Sequence, residues 1–285
     1  MIEQELLRQI IAGCDEALRD TFLRRMDAAL RIAATKLQTG EPIWNPEEEQ
    51  AMLDSITRGL SPELSRKAYV LWKGLTRMSR GRQYRFFVEH DPSLVLNHEP
   101  DIVGELADAP VSCPSHIARS VSSVLGREAK ACTSIASAID DLVSGGSAYA
   151  AVSIDSLYDT EWLYSMIYDK PIYVNSITPT GQGPLIVLLS RKLLDRAQEP
   201  IVSIAFSVAS SDHGSLAQSI SVLADNCLNI EFVRLKKQPT KADPDKVLVF
   251  LDFSGSLLSV PTRASILQMQ TELPFFRLIG YRESV

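Results

Sequence analysis

The sequence predicts a multidomain chain that is α-helical at its N-terminus and mixed α/β beyond it. The length of 285 residues exceeds what one ordinary hydrophobic core requires. Apolar residues recur with a helical period before Pro42, and strand-like and helical segments alternate after residue 113. We therefore expect a helical domain at 1–90, a linker at 91–112, a small α/β lobe at 113–197 and a C-terminal domain at 198–285.

The first domain should begin with one long helix over residues 3–38. Its apolar positions follow helical spacing: Leu7, Ile10, Ile11, Cys14, Leu18, Phe22, Ala29 and Ile32. Gly40 and Pro42 are typical of a helix end. Such a helix is about 50 Å long at about 1.5 Å per residue. This length suits an intertwined dimer better than the interior of a small monomer.

Two shorter helices should follow, each opened by a polar cap and a proline. Asn45 precedes Pro46, and Ser61 precedes Pro62, which is the usual order of N-cap and first helical residue. The third helix should run to about Phe87.

The remaining segments alternate between strands and helices. In the lobe we expect strands at 148–154, 171–177 and 184–190 and helices at 115–125 and 134–142. In the C-terminal domain we expect a strand at 201–208, a helix at 215–224, strands at 230–237 and 246–253, a helix at 260–271 and a strand at 275–281. This βαββαβ order is typical of a ferredoxin-like fold.

Composition excludes several classes of function. The net charge of −6 argues against general nucleic-acid binding, which needs a basic surface. No apolar run reaches the length of a membrane span, and the charged N-terminus lacks a signal-peptide core, so we expect a cytoplasmic protein. The four cysteines and four histidines are scattered, which predicts reduced cysteines and no metal site.

Two cations lie on the apolar stripe of the first helix. On a helical wheel Arg25 falls at the centre of the stripe and Lys36 within about 20° of it. Buried charge is costly without partners. The two cations could meet an acid such as Asp15, line a pocket for an anion, or mark where the helix leaves the core.

Three further polar residues accompany these cations. Arg8 flanks the stripe about 25 Å from Arg25 along the axis, so the two can share a small ligand only across an antiparallel pair of chains. Ser79 and Gln83 share a face of the third helix at i, i+4. Such a pair is ordinarily a solvated surface.

The first domain resembles the all-helical chorismate mutases, particularly the mutase part of bifunctional mutase–prephenate dehydratases. The family positions are matched in register by Arg8, Arg25, Lys36, Glu49, Ser79 and Gln83. The resemblance implies that Arg25 and the partner's Arg8 bind the carboxylates of chorismate, with assistance from Ser79. Lys36 and Gln83 would donate to the ether oxygen, and Glu49 would bind the ring hydroxyl. The resemblance implies no cofactor.

Two positions depart from this family. Glu48 stands where the family usually has an arginine, and Asn45 where an aspartate is common. Loss of one cation near a dianionic substrate should weaken binding. The departures keep open a second interpretation, a non-catalytic regulatory protein that binds an aromatic amino acid or a partner enzyme.

The rest of the chain resembles two further modules. The C-terminal domain resembles an ACT domain, which implies an aromatic amino-acid effector near Gly214, Ser215 and Leu216, after Asp212 and His213. The alternative for this domain is a dimerisation module. Of the other effector motif, only Pro239 is retained. The lobe, notably 134–156 and 186–192, resembles a truncated prephenate dehydratase whose catalytic threonine would align with Pro184. Proline has neither hydroxyl nor amide hydrogen. We therefore expect no dehydratase activity, which disfavours a true bifunctional enzyme.

Overall fold

The computed structural model describes residues 2–91, 93–94, 96, 101–103, 108–154, 170–181, 183–194, 200–209, 214–237 and 245–283. Four of the residues used above, at 155–156, 212 and 213, lie outside these ranges, as does Pro239.

The N-terminal part consists of three helices, as the sequence predicts. They are α1 (Ile2–Thr39), α2 (Pro46–Thr57) and α3 (Pro62–His90). The Asn45 side chain accepts a hydrogen bond from the Glu48 amide at 3.3 Å, and the Ser61 hydroxyl accepts one from Leu64 at 3.4 Å. Both predicted N-caps are therefore confirmed. Gly40 ends α1 with a φ of 74°, in the left-handed region that glycine adopts without strain.

The N-terminal half of α1 extends away from the chain. Residues 3–24 are all exposed, and the buried positions of α1 begin with Met26, Ala29 and Ala33. The helical wheel places Leu7 and Leu18 toward a core, but within one chain these side chains are 53% and 59% exposed. An apolar stripe identifies a face that is suited to burial, yet it does not say which chain covers that face.

The middle of the chain forms the larger part of an α/β sheet. Its elements are β1 (Ile102–Val103), β2 (Val111–Pro114), a short 3-10 turn (Ser115–Ile117), α4 (Ala118–Leu125), β3 (Ala129–Cys132), α5 (Ile135–Ser144), β4 (Tyr149–Ile154), β5 (Tyr173–Thr178), β6 (Leu185–Ser190) and β7 (Leu193–Leu194). The sequence did not predict β2 or β3. Each has only four residues; β2 is buried throughout and the middle two residues of β3 are exposed, so neither shows an apolar–polar alternation.

The segment assigned to a linker contacts the folded chain. Within 91–112, Leu96 is buried, β1 pairs with β7, and β2 begins at Val111, two residues before the expected start of the lobe. These short stretches gain their order from pairing with residues distant in sequence, which a local pattern does not reveal.

The C-terminal unit (residues 201–282) has the predicted βαββαβ order. It contains β8 (Ile201–Ala209), α6 (Ser215–Asp225), β9 (Asn229–Lys237), β10 (Lys246–Ser254), α7 (Val260–Glu272) and β11 (Phe276–Arg282). Its strands lie in the antiparallel order β11-β8-β10-β9. This confirms the ferredoxin-like fold.

The lobe and the C-terminal unit share a single sheet. The nine strands follow the order β3-β2-β4-β6-β5-β11-β8-β10-β9, and β11 joins β5 through a parallel pair between Gly280 and Val174. A Cβ atom at Gly280 would lie 2.9 Å from the Val174 side chain and from its carbonyl oxygen. Glycine therefore permits the close approach at which the two sheets join.

The helical bundle packs on the C-terminal unit. Helix α3 lies against α7 and α6, and Tyr84 belongs to the same buried cluster as Val222 and Leu267. At Gly81 an added Cβ would lie 3.2 Å from the Gln268 side chain, so the two helices approach closely there. The candidate residues on α3 are thus held between the bundle and the C-terminal unit.

Candidate active site

A cavity of about 200 Å³ lies among the three N-terminal helices. Its lining residues are Arg25, Lys36, Ile43, Asn45, Glu48, Glu49, Met52, Thr76, Ser79, Arg80 and Gln83. Five of the six residues singled out from the sequence line this cavity, and Arg8 is the exception.

The two cations of α1 are held by neutral oxygen acceptors. The Arg25 Nε donates to the Ser79 hydroxyl at 3.1 Å, and that hydroxyl donates to the Leu75 carbonyl at 2.8 Å. The Lys36 Nζ donates to the Ile43 carbonyl at 2.9 Å. Asp15, considered as a partner from the sequence, is exposed on the extended part of α1. The positive charges therefore face the cavity without full neutralisation.

Glu49 is held at both carboxylate oxygens. The Thr76 hydroxyl donates to Oε1 at 3.2 Å, and a guanidinium nitrogen of Arg80 donates to Oε2. Both partners lie on α3, whereas Glu49 lies in the first turn of α2. The carboxylate thus has one fixed orientation beside the cavity.

Gln83 brings an amide into the buried end of the cavity. Its side chain is 7% exposed, and its Oε1 has no hydrogen-bond partner among the described residues. A buried amide ordinarily finds partners, because leaving one unsatisfied costs roughly 1–3 kcal/mol. An unsatisfied amide that lines a cavity is characteristic of a site whose ligand completes the hydrogen bonds.

Arg8 lies on the exposed arm of α1. Its guanidinium is 3.8 Å from the Glu5 carboxylate, and both side chains are largely exposed. Within one chain Arg8 does not contribute to the cavity, in agreement with the axial separation derived from the sequence.

The two departures from the family pattern occupy the rim of the cavity. Glu48 is exposed, and Asn45 serves as the N-cap of α2. The acid therefore adds negative charge at the solvent side, while the buried end retains the cations.

Sequence reasoning gave no role to Thr76 or Arg80. Both lie on the α3 face that carries Gln83, at spacings of four and seven residues from Thr76. This polar stripe on a helix with buried neighbours was the signal that could have identified them.

A second cavity of about 310 Å³ lies between α3 and the C-terminal unit. Ser215 lines it, and the Ser215 hydroxyl donates to the Ala209 carbonyl at 3.1 Å. Gly214 caps α6 with a φ of 88°, and Leu216 packs against the main core. Of the three residues assigned to an effector, Ser215 alone lines the cavity.

The first cavity is suited to a small organic anion. Arginine and lysine favour carboxylates, and the Gln83 amide can supply a further hydrogen bond. Within the described residues, no group of three or more His, Cys, Asp or Glu side chains is arranged to hold a metal. The helices described are also too short or too polar to cross a bilayer.

Comparison with known proteins separates the two parts of the chain. Residues 7–84 match the family described as chorismate mutase type II. No curated protein is similar enough to the chain to count as a match.

Three of the solved structures to which this chain is similar are described in turn. Prephenate dehydratase from Arthrobacter aurescens, solved in complex with L-Phe, has a TM-score of 0.50 at 10% identity, covering 61% of this chain and 90% of that chain. Prephenate dehydratase from Streptococcus mutans has a TM-score of 0.48 at 12% identity, covering 61% and 97%. A protein described as GqqA, a novel type of quorum quenching acylase, has a TM-score of 0.48 at 11% identity, covering 62% and 95%.

The recognised motif and the architecture agree with these comparisons. The chain thus combines a segment that matches the type II chorismate mutase family with a mixed α/β region similar in fold to the prephenate dehydratase from Arthrobacter aurescens.

Proposed function

We propose that this chain is a chorismate mutase, which rearranges chorismate to prephenate in phenylalanine and tyrosine biosynthesis, and that it has no dehydratase activity. The observation that carries the proposal is the cavity at which Arg25, Lys36 and Gln83 meet, within the segment that matches the family.

The rearrangement is intramolecular and needs neither a nucleophile nor a proton transfer. The protein has to hold the compact conformer of the substrate and stabilise the negative charge that develops on the ether oxygen. Arg25 binds one carboxylate, assisted by Ser79, and Lys36 and Gln83 donate to the ether oxygen. Glu49 accepts a hydrogen bond from the ring hydroxyl. The fixed orientation of Glu49 supports its role. Gln83 lines the same cavity, and its Nε2 is the donor that the role requires.

The second carboxylate requires a cation from another chain. The exposed apolar stripe of α1 is suited to pairing with a second copy, which would bring the partner's Arg8 to the cavity. A homodimer also accounts for an arm whose residues 3–24 are all exposed within the single chain. The proposed active site is therefore shared between two subunits.

The test is turnover of chorismate by the full-length protein. Loss of chorismate absorbance should accompany prephenate accumulation, with prephenate and phenylpyruvate assayed separately. Absence of turnover would overturn the proposal and favour the regulatory protein, for which the acid Glu48 at the rim is the supporting observation.

Two substitutions test the assigned roles. Lys36→Ala or Gln83→Ala should each lower kcat by roughly 10²–10³-fold, as removal of one preorganised donor does elsewhere. Lys67→Ala is the control, because Lys67 pairs with Glu63 on the exposed surface of α3. Wild-type turnover in either site variant would refute the mechanism.

The proposal that the chain lacks dehydratase activity rests on Pro184. This residue lies in the turn before β6, where its carbonyl accepts a hydrogen bond from the Thr180 hydroxyl at 2.8 Å. A proline side chain offers no acid for the loss of the prephenate hydroxyl. Formation of phenylpyruvate from prephenate would contradict this part of the proposal and favour the bifunctional enzyme.

An aromatic amino acid is the proposed effector of the C-terminal unit. The cavity beside Ser215 combines apolar walls with Lys73 of α3, which suits an apolar side chain joined to a carboxylate. Phenylalanine should raise the Tm of the wild-type protein and change its mutase rate. An unchanged Tm and rate at millimolar phenylalanine would reject the effector.

A further inference from the structure

Arg80 connects two acids that belong to different parts of the chain. Its Nε and one terminal nitrogen donate to the two carboxylate oxygens of Glu272 at 2.7 and 2.9 Å. Its other terminal nitrogen donates to Glu49. Glu272 ends α7 of the C-terminal unit, and Glu49 lies in the first turn of α2 of the helical bundle.

This ion-paired triad is largely shielded from solvent. The side chains of Arg80, Glu272 and Glu49 are 12%, 13% and 16% exposed. Burial raises the pKa of Glu272, and pairing with Arg80 offsets this in part while the second acid, Glu49, adds to it. One cation is therefore shared by two carboxylates in a region where ion pairs are weakly screened.

The geometry makes the orientation of Arg80 depend on Glu272. A bidentate pair fixes the plane of a guanidinium, because both hydrogen bonds lie in that plane. With one edge held by Glu272, the remaining nitrogen is directed at Glu49. Arg80 and Glu49 line both the 200 Å³ cavity and the 310 Å³ cavity.

We propose that Arg80 is a positioning residue of the mutase site: it orients Glu49 and is itself anchored by Glu272 of the C-terminal unit. This inference depends on the proposed function. The mutase site is then complete only while the C-terminal unit is docked on α3, and a displacement of α7 reaches Glu49 through Arg80.

A second ion pair between α3 and the C-terminal unit supplies a matched control. Arg77, one turn earlier on α3, donates from Nε to the Asp225 carboxylate of α6 at 2.8 Å. Its side chain is 13% exposed, close to the value for Arg80, but it has no bond to Glu49. Arg77→Ala therefore removes an interdomain ion pair of similar burial without disturbing the proposed positioning.

The experiment measures kcat and KM for chorismate with full-length variants. Arg80→Ala should lower kcat/KM about tenfold or more, the loss expected for one charge-assisted hydrogen bond. Glu272→Gln should lower it by a smaller factor, and Arg80→Lys should recover part of the loss. Arg77→Ala should leave kcat/KM within about twofold of wild type, since interdomain pairing alone does not orient Glu49.

A double-mutant cycle separates positioning from a general loss of structure. Because Arg80 acts through Glu49, Arg80→Ala should have little further effect in a Glu49→Gln background. If Arg80→Ala does not fold, the Arg80→Ala, Glu272→Gln double variant, which leaves no unpaired acid on α7, takes its place. Equal losses in both backgrounds, or equal losses from Arg77→Ala and Arg80→Ala, would overturn the inference while leaving the mutase assignment intact. Absence of wild-type turnover would overturn both.

Discussion

Leu18→Glu should dissociate the proposed dimer. Leu18 is 59% exposed in the single chain, on the stripe that also carries Leu7 and Ile11. Burying a whole leucine side chain contributes about 2 kcal/mol, so covering this exposed part contributes about 1 kcal/mol in each subunit. The substitution acts twice in a symmetric dimer and also buries two carboxylates, for a total cost of about 4 kcal/mol. The dimer Kd should therefore rise about a thousandfold.

Sedimentation velocity over a concentration series measures this shift directly. The matched control is Leu258→Glu, because Leu258 is 58% exposed but lies in the turn before α7. The control should retain the dimer and its mutase rate, whereas Leu18→Glu should lose both at the same concentration. A dimer of unchanged affinity in Leu18→Glu would refute the reasoning that the α1 stripe forms the interface.

Three further results are expected. Mixing Arg8→Ala with Arg25→Ala should restore up to about a quarter of the wild-type rate, because half of the dimers are mixed and each mixed dimer has one intact site. If mass spectrometry shows mixed dimers and the rate does not recover, the result would count against a shared site. Arg282→Ala should lower the free energy of unfolding in urea by about 3–5 kcal/mol, because it strands the buried carboxylate of Asp252, whose Oδ2 is 2.8 Å from the guanidinium; a loss below about 1 kcal/mol would show that this carboxylate is solvated. Burial raises the folded-state pKa of Glu272. Protonated Glu272 therefore stabilises the folded protein below the unfolded-state pKa near 4.3, and this stabilisation is lost as the pH rises through the folded-state pKa. Denaturant unfolding of Glu272→Gln from pH 4 to 7 should therefore gain stability relative to wild type with rising pH, and parallel pH profiles would exclude this effect.

Local patterns determined the secondary structure and much of the candidate site. The N-caps Asn45 and Ser61 and the βαββαβ order follow from rules that act within a few residues, so the sequence predicts them well. The match to the family positions likewise identified five side chains that line one cavity.

Local rules do not decide which surface covers the apolar stripe of α1. The pattern containing Leu18 shows that a face is suited to burial, and the same pattern would arise whether its own chain or a second copy covers it. The tertiary structure decided that the chain's own core does not cover residues 3–24.

Long-range contacts were decided by the tertiary structure alone. Arg80 and Glu272 are separated by 192 positions, and nothing in either neighbourhood indicates the other. The parallel pair between Gly280 and Val174, which merges the lobe and the C-terminal unit, is equally remote. The sequence by itself determined the three N-terminal helices and their polar residues, because hydrogen bonding and side-chain periodicity act over one or two turns. Which acids share Arg80 and which sheets join depended on the packing of whole elements, since their free energy comes from surfaces that meet only after the chain has folded.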